Sequence, residues 1–321
     1  MKRKVAIVSV FVLLFVVSLF AQSSASDIAA LMAQASSGDP EAQNSLGVNY
    51  FYGDGVEKDL EEAVRWFRKS AEQNNEIAQF NLGICLYNGY GLARNLDQAV
   101  FWFSKSAENG YANAQNRLGL LYESGRGLTQ NYALAAYWYQ KAADQGHLEA
   151  TTNLAWLYEH GMGVPKDLVK AISLYQKAAD KGDAYAQYSM GWAYHFGIGN
   201  LSKNLATAKT WYMLAADQDQ PEALYALGVM YEEGEGVDTN FETAFDYYLK
   251  SATLGHMDGM IAVGLFYELG IGTDEDAVEA LAWYLKAKEY GNEDAQEYID
   301  DISSSMSPED IERARKKAAH Y

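Results

Sequence analysis

A Leu-Gly pair, or a close variant of it, returns along this chain at a nearly fixed interval, and no other feature restricts the fold so strongly. The small residue of the pair falls at Gly47, Gly83, Gly119, Ala155, Gly191, Gly228 and Gly264, in steps of 36, 36, 36, 36, 37 and 36 residues. A Gly-x-Gly follows each time, at Gly53/Gly55, Gly89/Gly91, Gly125/Gly127, Gly161/Gly163, Gly197/Gly199, Gly234/Gly236 and Gly270/Gly272. Seven copies at this period mark a repeat array. The one long step traces to an extra residue within 200–204, where an insertion implies a loop.

Each unit reads as two helices. Apolar or small residues at helical spacing, as in Ala42, Leu46, Gly47 and Tyr50, predict a helix A, with Asp39 and Pro40 as N-cap and first-turn proline of the first copy. The Gly-x-Gly stops it, because glycine accepts the left-handed backbone of a sharp reversal. An Asx residue comes next (Asp59, Asn95, Asn131, Asp167, Asn204, Asn240, Asp276), then an alanine four positions on, which predicts the N-cap of a helix B. Glu62, Gln98 and Glu279 stand three residues further and are placed to complete capping boxes.

Helix B carries an aromatic pair in most copies: Trp66-Phe67, Trp102-Phe103, Trp138-Tyr139, Leu174-Tyr175, Trp211-Tyr212, Tyr247-Tyr248 and Trp283-Tyr284. Alanine lets the two helices approach, and the aromatics are expected to fill the gap to the neighbouring unit. The helix ends at Gly110, Gly146, Gly182, Gly255 or Gly291, with turn-compatible Asn74 and Asp219 in the equivalent places of two other units. A lone hairpin cannot bury both faces, so the units must stack, and a small rotation per unit winds the stack. The expected fold is all-α, a right-handed superhelical α-solenoid of seven helix-turn-helix repeats at 38–290. A lead-in at 26–37 precedes it. Capping helices at 291–321 follow, starting a last helix at Ser307 and ending it with Arg313, Arg315, Lys316 and Lys317.

The first 25 residues read differently. Lys2, Arg3 and Lys4 precede an apolar run at 5–20 and then small polar residues, the pattern of a secretory signal peptide, with cleavage expected after Ala21 or Ala25. The run is shorter than the ~20 residues of a spanning helix, although an uncleaved anchor is the alternative. Export to the periplasm or beyond, in a Gram-negative type of envelope, is the expectation. The net charge of -18 deepens if three of the 25 cations leave with the signal, which argues against nucleic acid or an anionic membrane face as a partner. The single cysteine, Cys85, excludes an intrachain disulfide and sits in a helical pattern as a small buried hydrophobe.

The pattern Ala42, Leu46-Gly47, Tyr50, Gly53-x-Gly55-Val56, Ala63, Trp66-Phe67 and Lys69-x-Ala71 resembles the Sel1-like repeat, a relative of the tetratricopeptide repeat. Departures are local: Leu86 replaces the usual Tyr, Ala155 the Gly, Leu174 the Trp and Lys288 the late Ala. The resemblance implies adaptor or scaffold work, since exported bacterial members hold other proteins in envelope assembly, signalling regulation or host contact. Fold alone does not fix function.

Catalysis finds little support in the residues. Some cysteine-rich relatives are linked to β-lactams, but this chain has no Ser-x-x-Lys, no Lys-Thr-Gly and no paired cysteines. His-Glu-x-x-His, a phosphate-binding Gly-x-x-x-x-Gly-Lys and Gly-x-Ser-x-Gly are also missing. The Gly-x-Gly pairs follow helices in every unit and are structural. A metal pair of His160 and His195 with Glu159 is conceivable, against a reading as surface or groove polarity, which also covers His147 and His256. No enzyme activity, cofactor or resident metal is expected.

By analogy with tetratricopeptide relatives, helix A lines the concave side. Phe80, Tyr87, Tyr188, His195, Trp156 and Trp192 then face inward, together with a ladder of Glu123, Glu159, Glu232 and Glu268. Trp156 and Trp192 hold equivalent sites outside the helix-B pair and, with Tyr188 and His195, suggest an aromatic clamp; inter-repeat core is the other reading. The glutamates would select cationic or neutral partners, unless solubility or repeat consensus explains them. The expected function is a non-catalytic scaffold holding a protein or peptide in this groove. The alternative is an envelope glycan or peptidoglycan binder, and a hydrolase akin to the β-lactam-linked relatives is remote.

Overall fold

The structure, a computed structural model, describes residues 25–321, so the expected signal segment falls, but for Ala25, outside the described residues. Among the described residues there are seventeen α-helices and no strand. The lead-in is itself a helix, α1 (Ala25–Ser36). Then come the pairs α2 (Pro40–Tyr52) and α3 (Leu60–Glu72), α4 (Glu76–Asn88) and α5 (Leu96–Glu108), and α6 (Ala112–Ser124) and α7 (Tyr132–Asp144). They are followed by α8 (Leu148–His160) and α9 (Leu168–Ala179), and by α10 (Ala184–Phe196) and α11 (Leu205–Ala216). The last pairs are α12 (Pro221–Glu233) and α13 (Phe241–Thr253), and α14 (Met257–Leu269) and α15 (Ala277–Glu289). Helices α16 (Ala295–Ser303) and α17 (Pro308–Ala318) close the chain. The fold class is the all-α solenoid. It divides into two compact units, one ending at Ala150 and one spanning Thr151–Tyr321.

Local chemistry sets both ends of each helix. The second helix of every pair is capped by the Asx residue read from the sequence; Asn131 accepts from the Leu134 N–H at 3.0 Å and Asp167 from the Lys170 N–H at 2.9 Å. The capping boxes do not form. The backbone N–H of Asp59, Asn95 and Asp276 donates to a carbonyl of the preceding helix, that of Tyr50, Leu86 or Tyr267, each at 2.9 Å, which leaves nothing for a Glu or Gln to accept. Glu62 instead pairs with Arg65 at 2.7 Å and Glu279 with Lys317.

Five of the seven first helices are capped by a side chain in a register that begins at Asp39, while Tyr111 and Gln220 stand there without a side-chain cap. Asp39, Asn75 and Asp183 accept from the N–H of Ala42, Ala78 and Ala186. Two histidines fill the same register: Nδ1 of His147 accepts from the Ala150 N–H at 3.2 Å and Nδ1 of His256 from the Gly259 N–H at 3.0 Å. An imidazole can accept there only while Nδ1 is unprotonated.

The core adds one contact to the expectation. The second aromatic of each pair lies inside its own hairpin, against the small residue of the Leu-Gly pair, and in later repeats it also meets the next unit, Tyr248 lying 5.4 Å from Phe266 and Tyr284 stacking on Tyr298 at 5.1 Å. Phe67, Phe103, Tyr139, Tyr175, Tyr212, Tyr248 and Tyr284 are all fully buried. A Cβ built on Gly119 would stand 2.5 Å from the Tyr139 ring, and one on Gly83 would stand 2.6 Å from Phe103. The second glycine of Gly-x-Gly makes the close approach between repeats, since a Cβ on Gly91 would fall 2.1 Å from the Leu60 carbonyl oxygen. The ends of the described chain are covered too. In the first unit Leu31 and Met32 of α1 pack on Ala42 and Leu46; in the second, the Tyr321 ring stacks on Trp283 at 4.4 Å and its hydroxyl donates to Glu279.

Two predictions follow from this packing and capping. Gly119→Val forces branched carbons into the Tyr139 ring and should lower stability by about 1–3 kcal/mol. Gly119→Ala should cost less, because Ala155 already faces the buried Tyr175 in the fourth repeat. Thermal melting followed by circular dichroism checks both, and an unchanged Gly119→Val curve would count against the ring-on-glycine packing.

The histidine caps make stability depend on pH. Burial, only partly offset by Glu149 near His147 and by Asp258 and Glu222 near His256, holds both imidazoles below the ordinary histidine value. The unfolded chain therefore takes up these protons first. The caps contribute fully above about pH 6.5 and are lost as pH falls through that value toward the lower folded one. A His147→Asn/His256→Asn variant keeps both caps without titrating, so its melting temperature should fall less than the wild type's between about pH 7.5 and 5. Identical pH profiles would remove the imidazoles as the cause.

Candidate partner-binding surface

In four repeats the buried tyrosine reaches back across the hairpin to helix A. Its hydroxyl donates to a glutamate: Tyr139 to Glu123 at 2.6 Å, Tyr175 to Glu159 at 2.8 Å, Tyr248 to Glu232 at 2.5 Å and Tyr284 to Glu268 at 2.6 Å. Burial above all, with the facing carboxylate adding to it, pushes the hydroxyls of Tyr175, Tyr248 and Tyr284 well above the usual tyrosine range, so they remain donors. One oxygen of each ladder glutamate is thereby committed to fastening a hairpin. The first two repeats agree from the opposite side: Phe67 and Phe103 carry no hydroxyl, and Phe51 and Tyr87 stand in the glutamate register.

The fifth repeat breaks the pairing. Its tyrosine, Tyr212, meets His195 in the glutamate register, with ring centroids 6.0 Å apart. Among the described residues the Tyr212 hydroxyl and the His195 Nδ1 have no hydrogen-bond partner, while His195 Nε2 lies 2.6 Å from Glu235. His195 is only 4% exposed. It belongs to the core and not to a groove lining, because the short helix-to-turn contact with Glu235 draws it inward.

The remaining candidates divide between core and surface. Phe80, 5% exposed, packs at 5.6 Å from Phe103 and 5.3 Å from Tyr111, and is core rather than groove because both rings close over it. Tyr188 is half-buried between Tyr185 and Tyr212, each 5.9 Å away. Trp156 is half-buried and stacks on His160 at 4.3 Å. Trp192 is 40% exposed and touches Phe196, itself 53% exposed, at 4.3 Å. Each tryptophan thus finds a ring on its own helix, four residues on. The fourfold clamp does not assemble, since Tyr188 and His195 turn toward Tyr212 while Trp192 stays outside.

Tyr87 is half-buried, and three guanidiniums lie over its ring: Arg126 at 4.8 Å, Arg117 at 5.8 Å and Arg94 at 6.0 Å. Sequence reading passed over these arginines and over Phe196. Phe196 was detectable from its i+4 spacing to Trp192. Arg117 was detectable as the one cation in a register otherwise held by Ser45, Asn81, Asn153, Ser189, Ala226 and Ala262.

The metal reading gains nothing: His160 places Nδ1 at 2.9 Å from the Trp156 carbonyl, His195 binds Glu235, and no group of three or more potential ligands gathers among the described residues. Cys85 is buried, which pushes its thiol up to about 12 and leaves it an unreactive packing residue at neutral pH.

The Sel1 repeat family model matches residues 40–75, 77–111, 112–147, 148–183, 184–220, 221–256 and 258–292. Among solved structures, the chain is similar to a Sel1 repeat protein from Oxalobacter formigenes, with 30% identity, coverage of 87% of this chain and 82% of that one, and a TM-score of 0.69. It is also similar to c5321, a protective antigen present in uropathogenic Escherichia coli strains that displays an SLR fold, at 25% identity, 92% and 79% coverage and a TM-score of 0.52. No curated protein sequence matches the chain.

The tyrosine–glutamate pairing separates two substitutions that look alike. Tyr248→Phe removes a hydrogen bond to a carboxylate and should cost about 1.5 kcal/mol. Tyr212→Phe removes a hydroxyl that has no partner and should be neutral or stabilising by up to about 1 kcal/mol. Urea denaturation of the two variants measures the difference, and equal losses would show that the glutamates do not fasten the hairpins.

Proposed function

The chain belongs to the Sel1 repeat family, and from that premise we propose that it is a non-catalytic scaffold, exported to the cell envelope, that holds a protein or peptide on the helix-A face around Trp192. Sel1 repeat proteins are generally protein-interaction scaffolds. The observation that carries the reading is the exposed pair Trp192 and Phe196, which presents a large apolar area although the hairpin core beneath it is already filled by Tyr212. Aromatic side chains in such positions are the usual anchors of interfaces. Trp156 on α8 extends the same kind of surface in the second unit.

Export rests on the Lys2-Arg3-Lys4 start and the apolar run at 5–20. Among the described residues no helix is long and apolar enough to cross a membrane, so a membrane anchor, if one is kept, is the N-terminal run itself.

The test is a crosslinking pull-down from the native envelope, comparing wild type with Trp156→Ala/Trp192→Ala after checking that helical circular dichroism is unchanged. Loss of one defined protein from the variant is the expected outcome. Equal recovery would place the interface elsewhere, and recovery of cell-wall glycan in place of protein would replace the peptide reading with glycan binding.

A further inference from the structure

Three arginines meet at one tyrosine in the first unit, and they come from three separate elements. Arg94 precedes the cap of α5, Arg117 projects from α6, and Arg126 is the middle residue of the Gly125-x-Gly127 turn. The chain holds 43 acidic residues against 25 basic ones, so a cation on its surface would ordinarily find a carboxylate. Among the described residues none of these three forms an ion pair within 4.0 Å. Glu149 acts on Arg117 through space, but its carboxylate accepts from the Asn116 amide at 3.0 Å. Burial pulls Arg117 below the usual arginine range; Tyr87 and Glu149 act against that shift, and the like charge of Arg126 adds a smaller push in the same direction as burial.

We propose that Tyr87, Arg94, Arg117 and Arg126 form a binding site for a carboxylate side chain on a polypeptide partner. The proposal deepens the scaffold reading and rests on it. A guanidinium over an aromatic face keeps its N–H edges free, and those edges match a carboxylate in a forked, two-bond geometry. The tyrosine thus positions the cations and leaves their donors open. A carboxylate is favoured over a phosphate because the protein as a whole is strongly anionic: a ligand with one charge among neutral neighbours meets less long-range repulsion than a polyanion does. An anion here would also neutralise the unpaired cations, which makes its arrival favourable at short range.

The test uses the full chain and two synthetic probe peptides, acetyl-Ala-Phe-Glu-Phe-Ala-amide and its Gln counterpart, with inorganic phosphate as a third probe. Binding is followed by the arginine Nε–Hε signals in nuclear magnetic resonance spectra. The Glu peptide should shift a small set of these signals saturably, and more weakly as salt is raised. The Gln peptide should bind at least roughly tenfold more weakly, the effect of losing one charge-assisted hydrogen bond. Arg94→Gln/Arg126→Gln, two exposed positions whose loss leaves the core intact, should weaken the Glu peptide by a similar factor.

Equal binding of the Glu and Gln peptides, or no saturable shift with any probe, overturns the site. Saturation by phosphate at lower concentration than by the Glu peptide overturns the carboxylate assignment. The scaffold reading fails separately: the Trp156→Ala/Trp192→Ala pull-down probes the second unit, so a protein captured there alongside a silent peptide titration sinks only this site. A saturable Glu-peptide response with glycan captured in place of protein sinks only the scaffold reading.

Discussion

The ring of each helix B rests against a helix-A residue that has almost no side chain, and the rest of the repeat is arranged so that this contact can exist. A glycine admits a phenylalanine or tyrosine ring to a place where an ordinary Cβ would stand about 2.5 Å from it. The ring then fills the hairpin, and burial of large aromatic area supplies much of the driving force for pairing the helices. Alanines such as Ala63, Ala99 and Ala135, all fully buried, keep the remainder of the seam thin. The turn glycines and Asx caps set where each helix stops and starts, so that ring and glycine arrive opposite one another.

Once a ring is buried, its hydroxyl imposes a second requirement. A buried tyrosine oxygen without a partner costs about 1–3 kcal/mol, and four repeats meet that cost with a glutamate on the facing helix. Two repeats avoid it with phenylalanine. The fifth does neither: it keeps Tyr212, puts His195 where the glutamate would be, and ties that imidazole to Glu235 instead. The same repeat carries the exposed Trp192 and Phe196. The repeat that breaks the tyrosine–glutamate rule is thus also one that leaves two neighbouring aromatic rings exposed.

Function on such a scaffold depends on what packing leaves over. The glutamate ladder looks like a binding surface along the sequence, yet one oxygen of each carboxylate is spent on a buried tyrosine hydroxyl. The arginines around Tyr87 look like scattered cations along the sequence and are gathered in space. The two features exchange places because charge acts on its neighbours in three dimensions, and the array brings residues of successive repeats side by side that are about thirty positions apart in the chain.

The sequence alone determined the repeat length, the two helices per repeat, the caps at the Asx residues, the glycine stops and the turn positions of Asn74 and Asp219, where the structure shows φ values of 66° and 58°. These are local consequences of backbone geometry and periodic burial, and periodic local signals survive being read in one dimension. The helix caps of His147 and His256 were within reach as well, since both stand in the register of Asp39. Only the tertiary structure decided which aromatic of each pair enters the hairpin, that the N-cap N–H groups are taken by the preceding helix, and that Phe80 and His195 lie inside while Trp192 lies outside. Each of those outcomes depends on distances between side chains on different helices, and spacing along a chain does not specify them.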